Sequence, residues 1–323
     1  MLTIYESRKG ALVARKGHPR IGDGAVWIDL LNPSKDEEEL VEKALGHDIP
    51  TREELHQIEE SSRLYQIDGT YVMTATVLYH SEQPHPTTTN ITFILTSKHL
   101  VTIRYAKPRS FDMFQARCEK PESGVSTGLS ALIVLLEVIV DRLADFIERI
   151  QAEVDGLGHT IFEMKGGTVT RQRRFDVILK SIGRQGEITS RARESLLSLG
   201  RLLAFLEQAA TERKADKATL THVRAVGRDI GSLSDHVGFQ LDKITFLLDA
   251  TLGMIQIEQN NIIKIVSVAA VVLLPPTLVA SVYGMNFEHM PELAWVWGYP
   301  AALVLMLVFA VAPYLYFKRK GWL

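Results

Sequence analysis

Cysteine is nearly missing from these 323 residues. The lone Cys118 excludes an intramolecular disulfide framework and fits a reducing compartment. The first ten residues hold no long apolar run and carry Glu6, Arg8 and Lys9, so they do not read as a cleavable signal peptide. No G-x-x-x-x-G-K-[ST] phosphate loop occurs, and Gly166-Gly167-Thr168 lacks the required lysine, which leaves no visible ATP-driven step. The ten histidines are scattered without H-E-x-x-H or Cys–His spacing, and no Ser-His-Asp constellation stands out. A zinc site or hydrolytic centre therefore has no support. Charge of either sign is not in excess either: a formal net charge of −2 gives no global reason to expect nucleic acid as a partner. These absences point away from an enzyme and from a bound cofactor.

Two segments lack charge altogether. Ile265–Tyr283 and Tyr299–Phe317 contain no Asp, Glu, Lys or Arg, and at ~1.5 Å per residue each reaches ~28 Å, close to the ~30 Å hydrocarbon core of a bilayer. A buried soluble helix usually keeps one polar face, whereas Leu303–Phe309 keeps none. Aromatic residues bracket the runs: Tyr283, Phe287, Trp295, Trp297 and Tyr299 at one interface, Tyr314, Tyr316, Phe317 and Trp322 at the other. The loop between the spans carries Glu288 and Glu292 but no Lys or Arg, while Lys264 precedes the first span and Lys318-Arg319-Lys320 follows the second. The positive-inside rule then predicts cytoplasmic N- and C-termini and an external loop.

The residues at this hairpin carry a likeness. Gly284-Met285-Asn286, the loop Phe287–Leu293 and the tail Tyr316–Leu323 occur in order, with Gln256–Asn260 and Pro275-Pro276-Thr277 upstream. Together they resemble the CorA magnesium and cobalt channels, over roughly the last seventy residues. A lone G-x-N would be weak; three short motifs at the expected spacings are specific. The resemblance implies a homopentamer in a bacterial inner membrane, with the first span lining the conduction path.

Ahead of the hairpin the chain has a strand-rich front and a helical back. Ala25–Leu30 reads as a buried strand, Ser34 as the cap of a helix over Asp36–Leu45, and Tyr71–Tyr79 and Ile91–Arg104 as strands with turns at Asp68-Gly69 and Ser97-Lys98. From about Val125 the period changes: Leu132, Leu136, Ile139, Leu143, Phe146, Ile150, Val154 and Leu157 share one helical face. Gly166-Gly167 breaks it, a second long helix spans Arg174–Leu206, and a third runs from Ala218 to Tyr283, on the order of 100 Å. The expected architecture is an α+β cytoplasmic domain, a mixed α/β sandwich, over residues 1–124. A long-helix domain and stalk over 125–260 and a membrane hairpin over 261–323 complete it, predominantly α.

One pair of spans cannot enclose a watery path, so self-assembly in the lipid bilayer is the natural remedy. Asn260, Ile263, Ser267, Ala270, Leu274 and Thr277 fall at steps of three or four and share a face. Copies around an axis would make a narrow pore, its neutral polar ends meeting water around an ion and its apolar middle gating by dewetting. Ser, Ala and Thr also suit close helix packing, and periodicity does not choose between the two. The resemblance favours the pore.

By the same likeness, Gly284, Met285 and Asn286 form the selectivity filter. Mg²⁺ sheds water reluctantly, so a ring of amide oxygens can recognise the hydrated ion where a carboxylate ring would hold it too long. Glu288 and Glu292 are candidates for concentrating divalent cations at the mouth. The resemblance further implies that intracellular Mg²⁺ is a regulatory ligand as well as the substrate. Acidic ligands for it are sought in Asp249 and Asp229 on the stalk, with Glu82 as a possible facing partner; solvated helix faces account for the two aspartates equally well. Glu137, Asp141 and Asp145 form a further acidic stripe without an assigned role. The expected function is passive, potential-driven uptake of Mg²⁺, with Co²⁺ and Ni²⁺ as further cargo. A divalent ion gains ~4.6 kcal/mol per 100 mV, twice the ~2.3 kcal/mol of a unit charge. A zinc transporter of the related branch and a membrane-anchored coiled-coil scaffold are the alternatives.

Overall fold

The computed structural model describes the whole chain except residues 9–10, 17–20, 23, 47, 55–58, 81, 84–85, 121–122, 164–167, 287–289, 292–294 and 323. Seven strands, β1 (Leu2–Arg8), β2 (Ala11–Lys16), β3 (Ala25–Leu31), β4 (Leu64–Ile67), β5 (Thr70–Tyr79), β6 (Thr87–Leu95) and β7 (Leu100–Arg104), form one sheet. Its order is β2-β1-β3-β7-β6-β5-β4. Only β3–β7 is parallel, with Asp29 opposite Thr102; the other pairs are antiparallel. The helices are α1 (Lys35–Leu45), α2 (Glu60–Arg63), α3 (Arg109–Cys118), α4 (Gly128–Phe162), α5 (Thr168–Glu212), α6 (Lys217–Tyr283) and α7 (Gly298–Arg319).

Backbone contacts divide the chain into two units: Met1–Glu163 with Leu179–Leu247, and Met164–Ile178 with Leu248–Leu323. In the first, one sheet face packs Ile4, Ile28, Leu30, Val72, Ile94, Val101 and Ile103 around Val41 of α1. Ser34 starts that helix with a capping box: its hydroxyl accepts the Glu37 N–H while the Glu37 carboxylate accepts the Ser34 N–H. Glu37 also accepts from the Leu2 N–H at 2.7 Å, which ties β1 to the helix start. The opposite sheet face carries Trp27, which stacks on Tyr5 and meets Phe114 of α3 edge-on.

A buried polar chain runs beneath that aromatic layer. Arg104 grips Asp29 through Nε at 2.9 Å and Nη2 at 2.7 Å, Thr102 donates its hydroxyl to Asp29 at 2.7 Å, and the Trp27 indole N–H donates to Thr102 at 2.9 Å. Each group is satisfied, as burial demands. At the far side of the sheet, β4 pairs only with Thr70–Met73, which leaves the outer half of β5 paired to β6 on one side and without a strand on the other. Helix α5 fills the gap with hydroxyls: Ser198 accepts the Thr76 N–H, and Ser195 accepts the Leu78 N–H while donating to the Thr76 carbonyl. Backbone groups that would otherwise be orphaned are thereby paired.

The sandwich-plus-long-helix architecture expected from the sequence is present, and strands β3, β5, β6 and β7 fall where the pattern puts them. Strands β1 and β2 and helices α2 and α3 are additional, and β4 is the partner strand implied by the Asp68-Gly69 turn. The Gly166-Gly167 break lies outside the described residues, between the end of α4 at Phe162 and the start of α5 at Thr168.

Candidate functional site: the apolar hairpin and the acidic groups

Helices α6 and α7 are both long and apolar enough to cross a membrane. Their burial follows helical steps. Along the apolar part of α6 the less exposed positions are Val268, Val272, Pro275, Pro276, Val279 and Tyr283, and on α7 they are Gly298, Ala302, Met306, Ala310, Pro313 and Phe317. Stripes at spacings of three and four on two successive helices are the signature of faces that pack. Asn260, Ile263, Ser267, Ala270, Leu274 and Thr277 are all exposed, Ile263 at 61% and Leu274 at 65%. At ~100° per residue this second stripe centres about 150° from the first. The proposed pore face is thus the side of α6 turned away from its own packed stripe.

Local chemistry on that face is acceptor-rich. The Thr277 hydroxyl donates to the carbonyls of Leu273 and Leu274, at 3.1 and 2.8 Å, so its remaining lone pairs face outward. Just before it, Pro275 and Pro276 lie inside the continuous helix. Two prolines remove two amide donors, those that would serve the carbonyls of Val271 and Val272.

The helix ends one residue after Val282. The Gly284 N–H donates to Ala280 O at 3.0 Å and the Met285 N–H to Val282 O at 3.3 Å. A Cβ on residue 284 would stand 3.1 Å from the Ala280 carbonyl oxygen, so glycine lets the chain leave the last turn closely. Met285 and Asn286 follow, both exposed. Glu288 and Glu292 lie outside the described residues. At the opposite end of the hairpin, Gly321 (φ +71°) turns the chain so that Trp322 N–H reaches Phe317 O at 3.1 Å and its ring stacks on Phe317. The ammoniums of Lys318 and Lys320 lie over the rings of Tyr314 and Tyr316. This is the basic, aromatic boundary read from the sequence.

The candidate regulatory carboxylates do not converge within one chain. Asp249 and Asp229 are both exposed on α6. Glu82 is held by Arg109 and Arg142 rather than facing Asp229. Asp229 lies instead in the field of the acidic stripe on α4: burial first, then the Glu137 carboxylate, raise the pKa of Asp141, with Arg117 opposing and Asp145 and Asp229 adding to the rise. The stripe is partly neutralised, Glu137 by Arg117 at 2.9 Å and Asp145 by Arg142 at 3.6 Å. Among the described residues no group of three His, Cys, Asp or Glu side chains is placed to hold a metal ion. The two arginines around Glu82 come from α3 and α4, elements far apart in sequence, and no local motif announces them.

Comparison with known proteins agrees with this architecture. The family profile described as "CorA-like Mg2+ transporter protein" matches residues 22–319. The magnesium transport protein CorA of Escherichia coli (strain K12) is 38% identical over 326 residues, covering 100% of both chains. The solved structure of the CorA magnesium transporter from Methanocaldococcus jannaschii superposes with a TM-score of 0.78 at 18% identity, over 100% of this chain and 99% of that one. The ZntB cytoplasmic domain from Vibrio parahaemolyticus shares the fold at a TM-score of 0.57 and 10% identity, over 79% of this chain and 97% of its own.

Proposed function

Since this chain belongs to the CorA family of Mg²⁺ transporters, we propose that it assembles as a homopentamer. Its first spans would then surround a pore for passive, potential-driven uptake of Mg²⁺, with Co²⁺ and Ni²⁺ as further cargo. The observation that carries this reading is the uncharged stripe Asn260–Thr277, exposed and roughly opposite the packed stripe of α6. A face of that composition is costly in lipid and needs neighbours, and copies of itself around an axis supply them.

In this reading each part of the stripe has a task. A hydrated Mg²⁺ presents water hydrogens outward, so what it meets must be oxygen acceptors. Asn286 at the external mouth, Thr277 with its proton already turned to the helix, and Asn260 at the cytoplasmic end offer them. Ile263, Ala270 and Leu274 between these rings exclude water when the pore narrows, which closes it without any covalent step. The lysines and arginine at 318–320 keep both termini in the cytoplasm of a bacterial inner membrane. Intracellular Mg²⁺ bound between subunits at Asp229 and Asp249 holds the closed state, and its loss releases it. The zinc alternative draws on fold likeness alone, whereas the extensive sequence identity is to magnesium transport proteins.

The test is Mg²⁺ flux into liposomes holding the purified protein, with an inside-negative potential. Flux that rises with potential and is lost or made unselective in Asn286→Ala supports the reading. Liposomes impermeable to Mg²⁺ at every internal Mg²⁺ concentration would refute it.

A further inference from the structure

A cavity of about 150 Å³ opens at the start of α3, between the end of β5 and helix α4. Its wall includes His80, Glu82, Lys107, Arg109, Ser110 and Arg142, three of them permanent cations against one carboxylate. Nothing in the transport reading uses it. We propose that this cavity binds a tetrahedral oxyanion of the phosphate type.

Three independent features converge on negative charge. First, α3 is ten residues long and begins after Pro108, which supplies no side-chain cap; the Phe111 N–H turns back to the Pro108 carbonyl at 3.1 Å, and the N–H groups of Arg109 and Ser110 with the positive dipole end remain for a ligand at the cavity. Second, the Ser110 hydroxyl lines the cavity in a residue only 5% exposed, and it makes no hydrogen bond among the described residues. Its oxygen is not sealed from solvent but opens on the cavity, where it is available to pair with a ligand atom. Third, Arg109 from α3 and Arg142 from α4 converge on Glu82, Arg142 at 3.2 Å. Each guanidinium gives one N–H to the same oxygen, Glu82 Oε1, and two cations aimed at one oxygen suit an oxygen of phosphate as well.

Glu82 then acts as an internal occupant that competes with the guest. That gives the proposal a sign opposite to the metal-ligand role considered for the same residue. Removing the Glu82 charge releases Arg109 and takes one of the partners from Arg142, which should strengthen anion binding, whereas a Mg²⁺ ligand at Glu82 would require weakened closure by Mg²⁺ in the same variant. The inference does not depend on conduction.

The experiment is calorimetric titration of the detergent-solubilised full chain with inorganic phosphate at fixed ionic strength. Sodium chloride serves as the blank and ribose 5-phosphate as a second arm. Saturable phosphate binding weakened at least ~10-fold in Arg109→Gln and in Ser110→Ala, unchanged in Lys318→Gln, and tightened in Glu82→Gln is the expected result. Tighter binding of ribose 5-phosphate than of inorganic phosphate would assign the site to a phosphate monoester, and the reverse order to the free ion. No heat beyond the chloride blank in the wild type and in Glu82→Gln, or binding indifferent to Arg109→Gln and Ser110→Ala, overturns the proposal. Arg109 is largely exposed, so its substitution leaves the fold intact as a control on Ser110.

Discussion

Replacing Arg104 by leucine tests the energetics of the cytoplasmic sandwich at its most demanding point. Asp29 is 4% exposed and accepts three hydrogen bonds, two from Arg104 and one from Thr102. Arg104→Leu leaves that carboxylate buried with the Thr102 hydroxyl alone, and breaking a buried pair from one side costs about 3–5 kcal/mol. It also removes the guanidinium stacked 4.3 Å over Phe111. The double replacement Asp29→Leu/Arg104→Leu removes both charges together, so the desolvation cost disappears with the attraction. Its penalty should fall to about 1 kcal/mol, mostly the Thr102 hydroxyl left without its acceptor. Urea-dependent proteolysis of the detergent-solubilised chain reads both variants. With a slope of about 2–3 kcal/mol per molar urea, the single variant should move the midpoint down by about 1–2 M and the double by under 0.5 M. A single variant within about 0.3 M of wild type, or a double variant as damaged as the single, would refute the claim that the pair matters through uncompensated burial.

Gly128→Ala puts a Cβ 2.5 Å from the His99 carbonyl carbon and 2.6 Å from the Leu100 nitrogen, so backbone must move and the midpoint should fall by the equivalent of about 1–3 kcal/mol or more. Burial pushes the Cys118 thiol up to about 12. The folded protein should therefore ignore a thiol-specific disulfide reagent at pH 8 and react fully once unfolded. Because the folded value is the raised one, this preference is present below the thiol's ordinary range and is lost as pH climbs toward 12, which alkaline unfolding curves of Cys118→Ala would reveal. Asp229→Asn with Asp249→Asn should raise the internal Mg²⁺ needed to stop flux; unchanged sensitivity in the liposome assay would remove both from the gate. Gly284→Ala, crowding the Ala280 carbonyl, should impair Mg²⁺ selectivity while leaving the cytoplasmic unit as stable as wild type in the urea assay.

The hairpin and the three long helices were legible because they rest on local rules: absence of charge over a span, a 3.6-residue period, an opening cap. Ser34 announced α1 by its capping box with Glu37, and Asp68-Gly69 announced the β4–β5 turn through the two positive φ angles it adopts. Strands β1 and β2 were not identified because their support is tertiary: β1 is anchored by the Glu37 carboxylate and by pairing with β3 more than by its own composition. Helix α3 is ten residues with a proline for a cap, so neither its length nor its start stands out. In the candidate site, the stripe Asn260–Thr277 could be written down from spacing, but which side of α6 packs required the burial of Val268 and its row. The partners of Glu82 could not be foreseen, since Arg109 and Arg142 reach it across 27 and 60 residues of chain.

The double proline in α6 locates the helix's softest joint. Every rung of the ladder stiffens a helical rod, and two adjacent rungs are missing at the Val271 and Val272 carbonyls. Below that point Asn260, Ile263 and Ser267 share one stretch of helix without a proline and turn or lean together. Above it, the short length from Thr277 to Tyr283 can hold its attitude while the shaft bends. In the proposed channel, a movement that opens the lower constriction need not distort the outer mouth, so admission of an ion and choice of an ion would be mechanically insulated within a single helix.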